Sequence, residues 1–336
     1  MKKFFDILAY VISIIAILAF VVFLHGYGSK KESRLHERVV EWRQQRQRHK
    51  EYLSRHEKLC DIGEAVQVVH AADTWYKKYH VIRHAGGGID GKYYSNSLEV
   101  WNLSYERGNR VFDVDMAFTS DGHLVLRHYW GDNLEDDSLC AISQSEVKID
   151  GNGQVRYYKP FHVMTLGEFM QTKLYRTYTP LTCEDMIAYM ATHEDIYMSL
   201  DMKDDVLQSY DYVVKKAHDM DELNVLDRVI VSLYDVELYD EIAAIYPFKN
   251  WVLRQQYVHE RNYSELLQDC IKYNIPVVNI SYCYANDEGV QWLHNAGIYT
   301  YVAICDYMSD MEMYQSKGIW GCCSNNLNES NFLKYE

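Results

Sequence analysis

Short apolar, β-rich runs alternate with longer amphipathic stretches along most of this chain. The runs predict strands over 80–84, 111–118, 124–128, 196–201, 229–233, 251–254, 276–280, 298–304 and 319–323. Between them, apolar positions recur at helical spacing over 97–107, 182–191, 206–220, 235–245, 261–273, 287–296 and 307–316. Alternation of this kind implies a parallel sheet covered by helices. If 124–128, which follows the Asp121-Gly122 turn, is an addition to the second unit, the remaining strands are eight in number. That count and the span 78–336 predict an α/β fold, a (β/α)8 TIM barrel of about 250 residues; a doubly wound open sheet is the alternative. The rhythm breaks at 129–178, a polar, turn-rich stretch containing Asp150-Gly151-Asn152-Gly153, which reads as an insertion after the second strand unit, standing over one mouth of the barrel.

The N-terminus follows a different pattern. From Ile7 to Leu24 the chain has no charged residue, close to the length that crosses the hydrocarbon core of a bilayer. No small-x-small cleavage site follows, so the segment is expected to be an uncleaved transmembrane helix. Residues 30–58 carry ten Lys or Arg against five Glu and only a thin apolar stripe, which reads as a solvated helical stalk near anionic headgroups. The expected organisation is an anchor over 1–29, a basic helical stalk over 30–77 and a barrel over 78–336. This predicts a single-pass protein of the cell membrane. Lys2 and Lys3 before the helix compete with Lys30, Lys31 and Arg34 after it, so the side occupied by the barrel stays open.

Charge and cysteines narrow the partners. The formal net charge of -14 opposes a nucleic-acid-binding face. The eight cysteines show no C-x-x-C pair and no zinc-finger spacing, so they are expected to be reduced, buried small hydrophobes.

In a barrel of this type, reactive groups belong where the strands end. His84 ends the first strand and precedes Ala85-Gly86-Gly87-Gly88. Asp113 and Asp115 lie two apart in a strand-like run and therefore share a face, as do Asp201 and Lys203 at the end of the next barrel strand. His128 closes the L-V-L-R-H run. Buried carboxylates require compensation. A hard divalent ion, Mg²⁺ or Ca²⁺, on Asp113, Asp115 and Asp201 is one source of it; pairing with Arg83, Arg110 or Arg127 is another. Two histidines flanking the carboxylates suit acid and base roles, and Lys203 suits a phosphate contact or a salt bridge to Asp201, Asp204 or Asp205.

Taken together, His84, N-S-L-E at 96–99, D-x-D followed by T-S-D-G at 119–122, L-V-x-x-H at 124–128 and D-x-K at 201–203 resemble the glycerophosphodiester phosphodiesterase family. T-P-L-T at 179–182 and G-I-W-G-C-C-S-N at 318–325 are similar to its later landmarks. The resemblance implies a metal-dependent barrel enzyme. His84 and His128 would be its acid/base pair, Asp113, Asp115 and Asp201 its metal ligands, and Lys203 its phosphate contact. Aspartate stands at 113 and 201 where the family carries glutamate. Its usual His-Arg is His84-Ala85 here, its Glu-Asn-Thr is Ser95-Asn96-Ser97, and Tyr129 replaces an aspartate. An arginine and a carboxylate are thus lost together, which leaves neither unpaired. Arg83 and Arg127 alternate with the histidines and should point away from the mouth. The expected function is hydrolysis of glycerophosphodiesters to an alcohol and glycerol phosphate. Rival readings are a phospholipase or sphingomyelinase-D-like reaction on intact lipid, and a catalytically silent barrel that binds without turning over.

Overall fold

The computed structural model describes residues 67–332, apart from 73, 129, 131–146, 150–154, 158–162, 176, 256–262, 283–284 and 286. These belong to a compact unit, Leu59–Glu336. The expected anchor, most of the stalk and much of the insertion lie outside the described residues. Among the described residues no helix is long and apolar enough to cross a membrane.

Eleven strands are described: β1 (Val81–Arg83), β2 (Val111–Phe118), β3 (Leu124–Leu126), β4 (Val147–Ile149), β5 (Val155–Tyr157), β6 (Tyr197–Met202), β7 (Val229–Leu233), β8 (Asn250–Gln255), β9 (Val277–Ser281), β10 (Tyr299–Ala303) and β11 (Gly321–Ser324). Strand β1 pairs in parallel with both β2 and β11, and parallel pairing runs unbroken from β2 through β6 to β11. Eight strands therefore close on themselves, which settles the choice against an open sheet. β3 hangs from β2 in antiparallel register, as an addition to the second unit, and β4 and β5 form a separate hairpin within the insertion.

All nine strand runs read from the sequence are found, with ends shifted by a few residues. Helix starts follow local chemistry. Ser97 caps Leu98–Glu106 by accepting from Val100 N, Thr182 and Asp185 form a reciprocal capping box at Cys183–Thr192, and Asp205 caps Val206–Asp219 through Gln208 N. Each cap is worth about 1 kcal/mol.

β2 shows how the strands divide the interior. Phe112, Val114 and Met116 face outward into the large core shared with the helices. Val111 faces inward and joins Ile82, Ile230, Val252, Val277, Tyr301 and Cys323 in a second, apolar cluster. Trp75 and Tyr76, from the short helix Trp75–Lys78 ahead of β1, pack into this floor, Trp75 with its ring centroid 5.6 Å from that of Tyr301. The N-terminal end of the barrel is thereby filled with apolar side chains. Two residues further along β2 the inward side chain is Asp113, then Asp115, so polarity is confined to the C-terminal half of the interior.

The described end of the insertion packs beside this mouth. Met164, Phe169, Leu174 and Tyr178 form a small core with Ala117, Val125 and Trp130. Tyr178 donates to Asp90 (2.8 Å) and Tyr175 donates to the carbonyl of Tyr93 (2.6 Å). Thr179, first residue of the T-P-L-T landmark, donates through both its amide and its hydroxyl to Glu99 of N-S-L-E. Two motifs 80 residues apart thus form one contact.

Candidate active site

The six residues singled out from sequence gather at the C-terminal mouth. In the β2–β6 register Asp115 sits directly beside Asp201. Lys203 bridges them, its Nζ 2.9 Å from Asp115 and 2.8 Å from Asp201. Asn96 holds the other side of Asp115: its Nδ2 donates to the carboxylate (2.9 Å), and its Oδ1 accepts from the Asp115 amide (3.1 Å). Asp201 also accepts from the Tyr234 hydroxyl (2.9 Å). Burial opposes ionisation of Asp115, but Lys203, His128, His84 and the Asn96 hydrogen bond together hold its carboxyl well below the usual range. Burial likewise opposes the charge on Lys203, and the two carboxylates more than reverse that, raising its pKa.

Asp113 lies one layer deeper, and its partner is a residue that sequence reasoning did not select. Arg254, on β8 across the barrel, donates Nη2 to the Asp113 carboxylate and to Ser199 Oγ (3.0 Å), and Nε to Ser232 Oγ (3.0 Å). Both side chains of this ion pair are almost fully buried, at 1 and 2 % exposure. Burial disfavours the guanidinium charge, yet Asp113 outweighs it and lifts the pKa above even arginine's ordinary value. The sequence signal was an arginine inside a buried strand-like run, W-V-L-R, whose partner could not be named without the barrel.

The arginines nearer in sequence are engaged elsewhere. Arg110 pairs with Asp195 (2.5 Å), and Arg127 lies over the Trp130 ring. Arg83 turns away from the mouth, donating to Ser104, to the Leu327 carbonyl and to the Asn325 carbonyl. Its guanidinium lies directly beneath Gly87, which has φ +106°, so a side chain at 87 would collide with it. This accounts for one glycine of the Ala-Gly-Gly-Gly run in packing terms.

The two histidines flank a tyrosine. His84 meets Tyr94 edge-on at 4.8 Å between centroids, and Tyr94 meets His128 at 5.2 Å. Tyr94 (φ 61°) and Asn96 (φ 44°), together with Ala85 (φ 48°), adopt left-handed backbone that non-glycine residues rarely take. Such strain persists where surrounding contacts impose it, and it clusters at functional sites. His84 Nδ1 lies 2.9 Å from Asn325 Oδ1. Asn325 is fixed in turn, since its Nδ2 and its backbone amide both donate to Asp306 (3.0 and 2.7 Å). With its Nδ2 committed to Asp306, Asn325 presents only oxygen to the ring, so His84 donates from Nδ1 and keeps Nε2 for proton transfer. His128 Nδ1 is buried and has no hydrogen-bond partner among the described residues. Burial lowers the His128 pKa; Asp115 works the other way without cancelling it.

The chemistry of three aspartates suits a hard cation, but their arrangement does not. Among the described residues no group of three or more His, Cys, Asp or Glu is placed to hold a metal ion. Asp113 is committed to Arg254, and Asp115 and Asp201 share Lys203. The divalent ion expected from sequence therefore does not fit this donor set as it stands. The expected sulfur chemistry is simpler: Cys183, Cys270, Cys305, Cys322 and Cys323 are free and buried.

The closed (β/α)8 barrel thus carries two imidazoles, a lysine and paired carboxylates at its C-terminal mouth, the end at which barrels of this type place their reactive groups. Solved structures narrow the fold. The chain superimposes on a candidate glycerophosphodiester phosphodiesterase from Galdieria sulphuraria with a TM-score of 0.59 and 16% identity, covering 76% of this chain and 97% of the other. A glycerophosphodiester phosphodiesterase from Thermotoga maritima matches with a TM-score of 0.53 and 15% identity over 80% of this chain and 100% of that one. A phosphodiesterase from Oleispira antarctica, in complex with the product sn-glycerol-3-phosphate, matches with a TM-score of 0.53 and 14% identity, over 74 and 93% of the two chains. No protein-family model and no curated protein matches the sequence significantly. The resemblance read from the motifs thus extends to the fold of glycerophosphodiester phosphodiesterase structures.

Proposed function

We propose that this chain is a phosphodiesterase that hydrolyses glycerophosphodiesters to an alcohol and glycerol phosphate. The observation that carries the reading is the pair His84 and His128 on either side of Tyr94, above Lys203 and its two carboxylates. The Oleispira antarctica structure holds sn-glycerol-3-phosphate, which supports a substrate of this class.

In this reading Lys203, the site cation with part of its surface exposed, meets the phosphate as a point charge. His128, kept neutral by burial, takes the proton from the nucleophile, which is water or the substrate's own neighbouring hydroxyl. His84, with Nδ1 held by Asn325, gives a proton from Nε2 to the leaving alcohol. The relay from Asp306 through Asn325 to His84 favours turnover over a silent binding barrel, because it orients a ring that mere packing would leave free. A divalent ion on the aspartates, the expectation from sequence, would have to displace Lys203 or Arg254 and is a question for titration.

The apolar run from Ile7 to Leu24 supports a membrane-anchored enzyme at the cell membrane, where lipid-derived phosphodiesters are concentrated. It also keeps the second reading in play, cleavage of intact phospholipid at the surface.

The test is incubation of the full-length chain with a panel of glycerophosphodiesters and phospholipid vesicles, with and without divalent ions. Release of glycerol phosphate from deacylated substrates is expected. Head-group release only from intact lipid would favour the phospholipase reading, and no release from any substrate would overturn both.

A further inference from the structure

We propose that the acidic cluster of this barrel is neutralised from within, by Arg254 and Lys203 as fixed cations, in place of a resident divalent metal ion. The inference rests on the reading of the mouth as a phosphodiester site and asks where that site obtains its positive charge.

The geometry carries it. Three carboxylates that would otherwise serve as a ligand set are each occupied by a cation belonging to the chain. Arg254 engages Asp113 directly, and its Nη1 lies 3.9 Å from Asp201. The guanidinium is locked by Ser199 and Ser232, so every strand around that side of the barrel contributes to holding it: β2 through Asp113, β6 through Ser199 and β7 through Ser232. Ser199 and Ser232 also bond each other at 2.9 Å. A buried charge held by hydrogen bonds to Asp113, Ser199 and Ser232 is built in rather than adventitious, because burying an arginine without such partners is strongly unfavourable. With Asp113 engaged, only Asp115 and Asp201 are left, and both point their oxygens at the same ammonium.

Side-chain length fits the same arrangement. Aspartate at 113 keeps the carboxylate one methylene closer to the strand than the glutamate of the resembling family would, and the Arg254 guanidinium reaches it there from β8.

A resident divalent ion would add two positive charges to a buried region that already holds the Arg254 guanidinium and the Lys203 ammonium against the same carboxylates. Arg254 is too deeply buried to meet substrate, so it is a positioning residue: it holds Asp113 and keeps Lys203 aimed at Asp115 and Asp201 rather than drawn down to a third carboxylate.

The experiment reads metal binding without substrate, so its failure is distinct from failure of the phosphodiesterase reading. The full-length protein is titrated with CaCl₂, MgCl₂ and MnCl₂ by calorimetry and by thermal shift. The proposal expects no saturable site tighter than about 1 mM, the weak end for protein calcium sites, and no shift in unfolding temperature beyond that of added salt. Arg254→Met, which bares Asp113, should gain a metal-dependent rise in unfolding temperature, and Arg254→Met combined with Asp113→Asn should not. One divalent ion bound stoichiometrically by the unaltered protein, with affinity unchanged in Arg254→Met, overturns the proposal. If the single variant fails to fold, the titration of the unaltered protein decides alone.

Discussion

The carboxamide oxygen of Asn325, at the end of the last barrel strand, lies 2.9 Å from Nδ1 of His84, at the end of the first. The two residues are 241 positions apart, and only closure of the sheet through β1 and β11 makes them neighbours. Asp306 locks the amide so that oxygen faces the ring. Replacing Asn325 by Leu should therefore lower kcat about tenfold or more with little change in KM, because the ring loses orientation while the phosphate contact is kept. Steady-state kinetics alongside circular dichroism checks this; an unchanged kcat would remove Asn325 from the machinery.

His84→Ala and His128→Ala should each reduce turnover by about 10²- to 10⁴-fold, the ordinary range for a general acid or base. Neither ring is part of the apolar floor, so the unfolding temperature should stay near that of the unaltered protein. Full activity in either variant contradicts the assigned roles.

Lys203→Met removes the cation shared by Asp115 and Asp201. It should raise KM for the phosphodiester. It should also destabilise the fold by about 3–5 kcal/mol, since two buried carboxylates are left facing each other. Chemical denaturation measures the second effect. A neutral result would mean that the carboxylates find another partner.

His128 sets a pH dependence whose sign follows from burial. Its pKa is lowered from 6.5, so the folded chain binds this proton less readily than the unfolded chain. Stability contributed at this position is complete above the unfolded value and falls as pH drops below it toward the lower folded value. Activity that needs neutral His128 should persist to the same acid limit. Unfolding temperatures between pH 8 and 5 should decline more steeply for the unaltered protein than for His128→Gln; parallel curves would show that another group dominates.

Gly87→Ala places a methyl group against the Arg83 guanidinium at a backbone angle suited to glycine. Overpacking of this kind costs about 1–3 kcal/mol. Because Arg83 also holds the Asn325 carbonyl (2.8 Å), the substitution should lower kcat as well as stability. Loss of stability with unaltered kcat would show that the Arg83 contact does not transmit to the site.

The alternation of β-rich and amphipathic runs was enough to place the barrel strands and the residues at their ends, because a (β/α)8 barrel writes its period into local sequence. Two-residue spacing put Asp113 with Asp115, and Asp201 with Lys203, on shared faces before any fold was known. The D-x-D, D-x-K and strand-end histidines were legible for the same reason: each motif is carried by one strand. What the chain could not disclose locally was how charge is balanced across the lumen. Arg254 meets Asp113 over a separation of 141 residues, Asn325 meets His84 over 241, and Asn96 reaches Asp115 from a loop of left-handed residues. Tertiary closure fixes those distances, and in a buried, low-dielectric interior a charge pair at a given distance interacts far more strongly than in water. Compensation for the three carboxylates was expected from a divalent ion or from Arg83, Arg110 or Arg127, whereas the barrel brings up Arg254 on β8 and Lys203 at the end of β6.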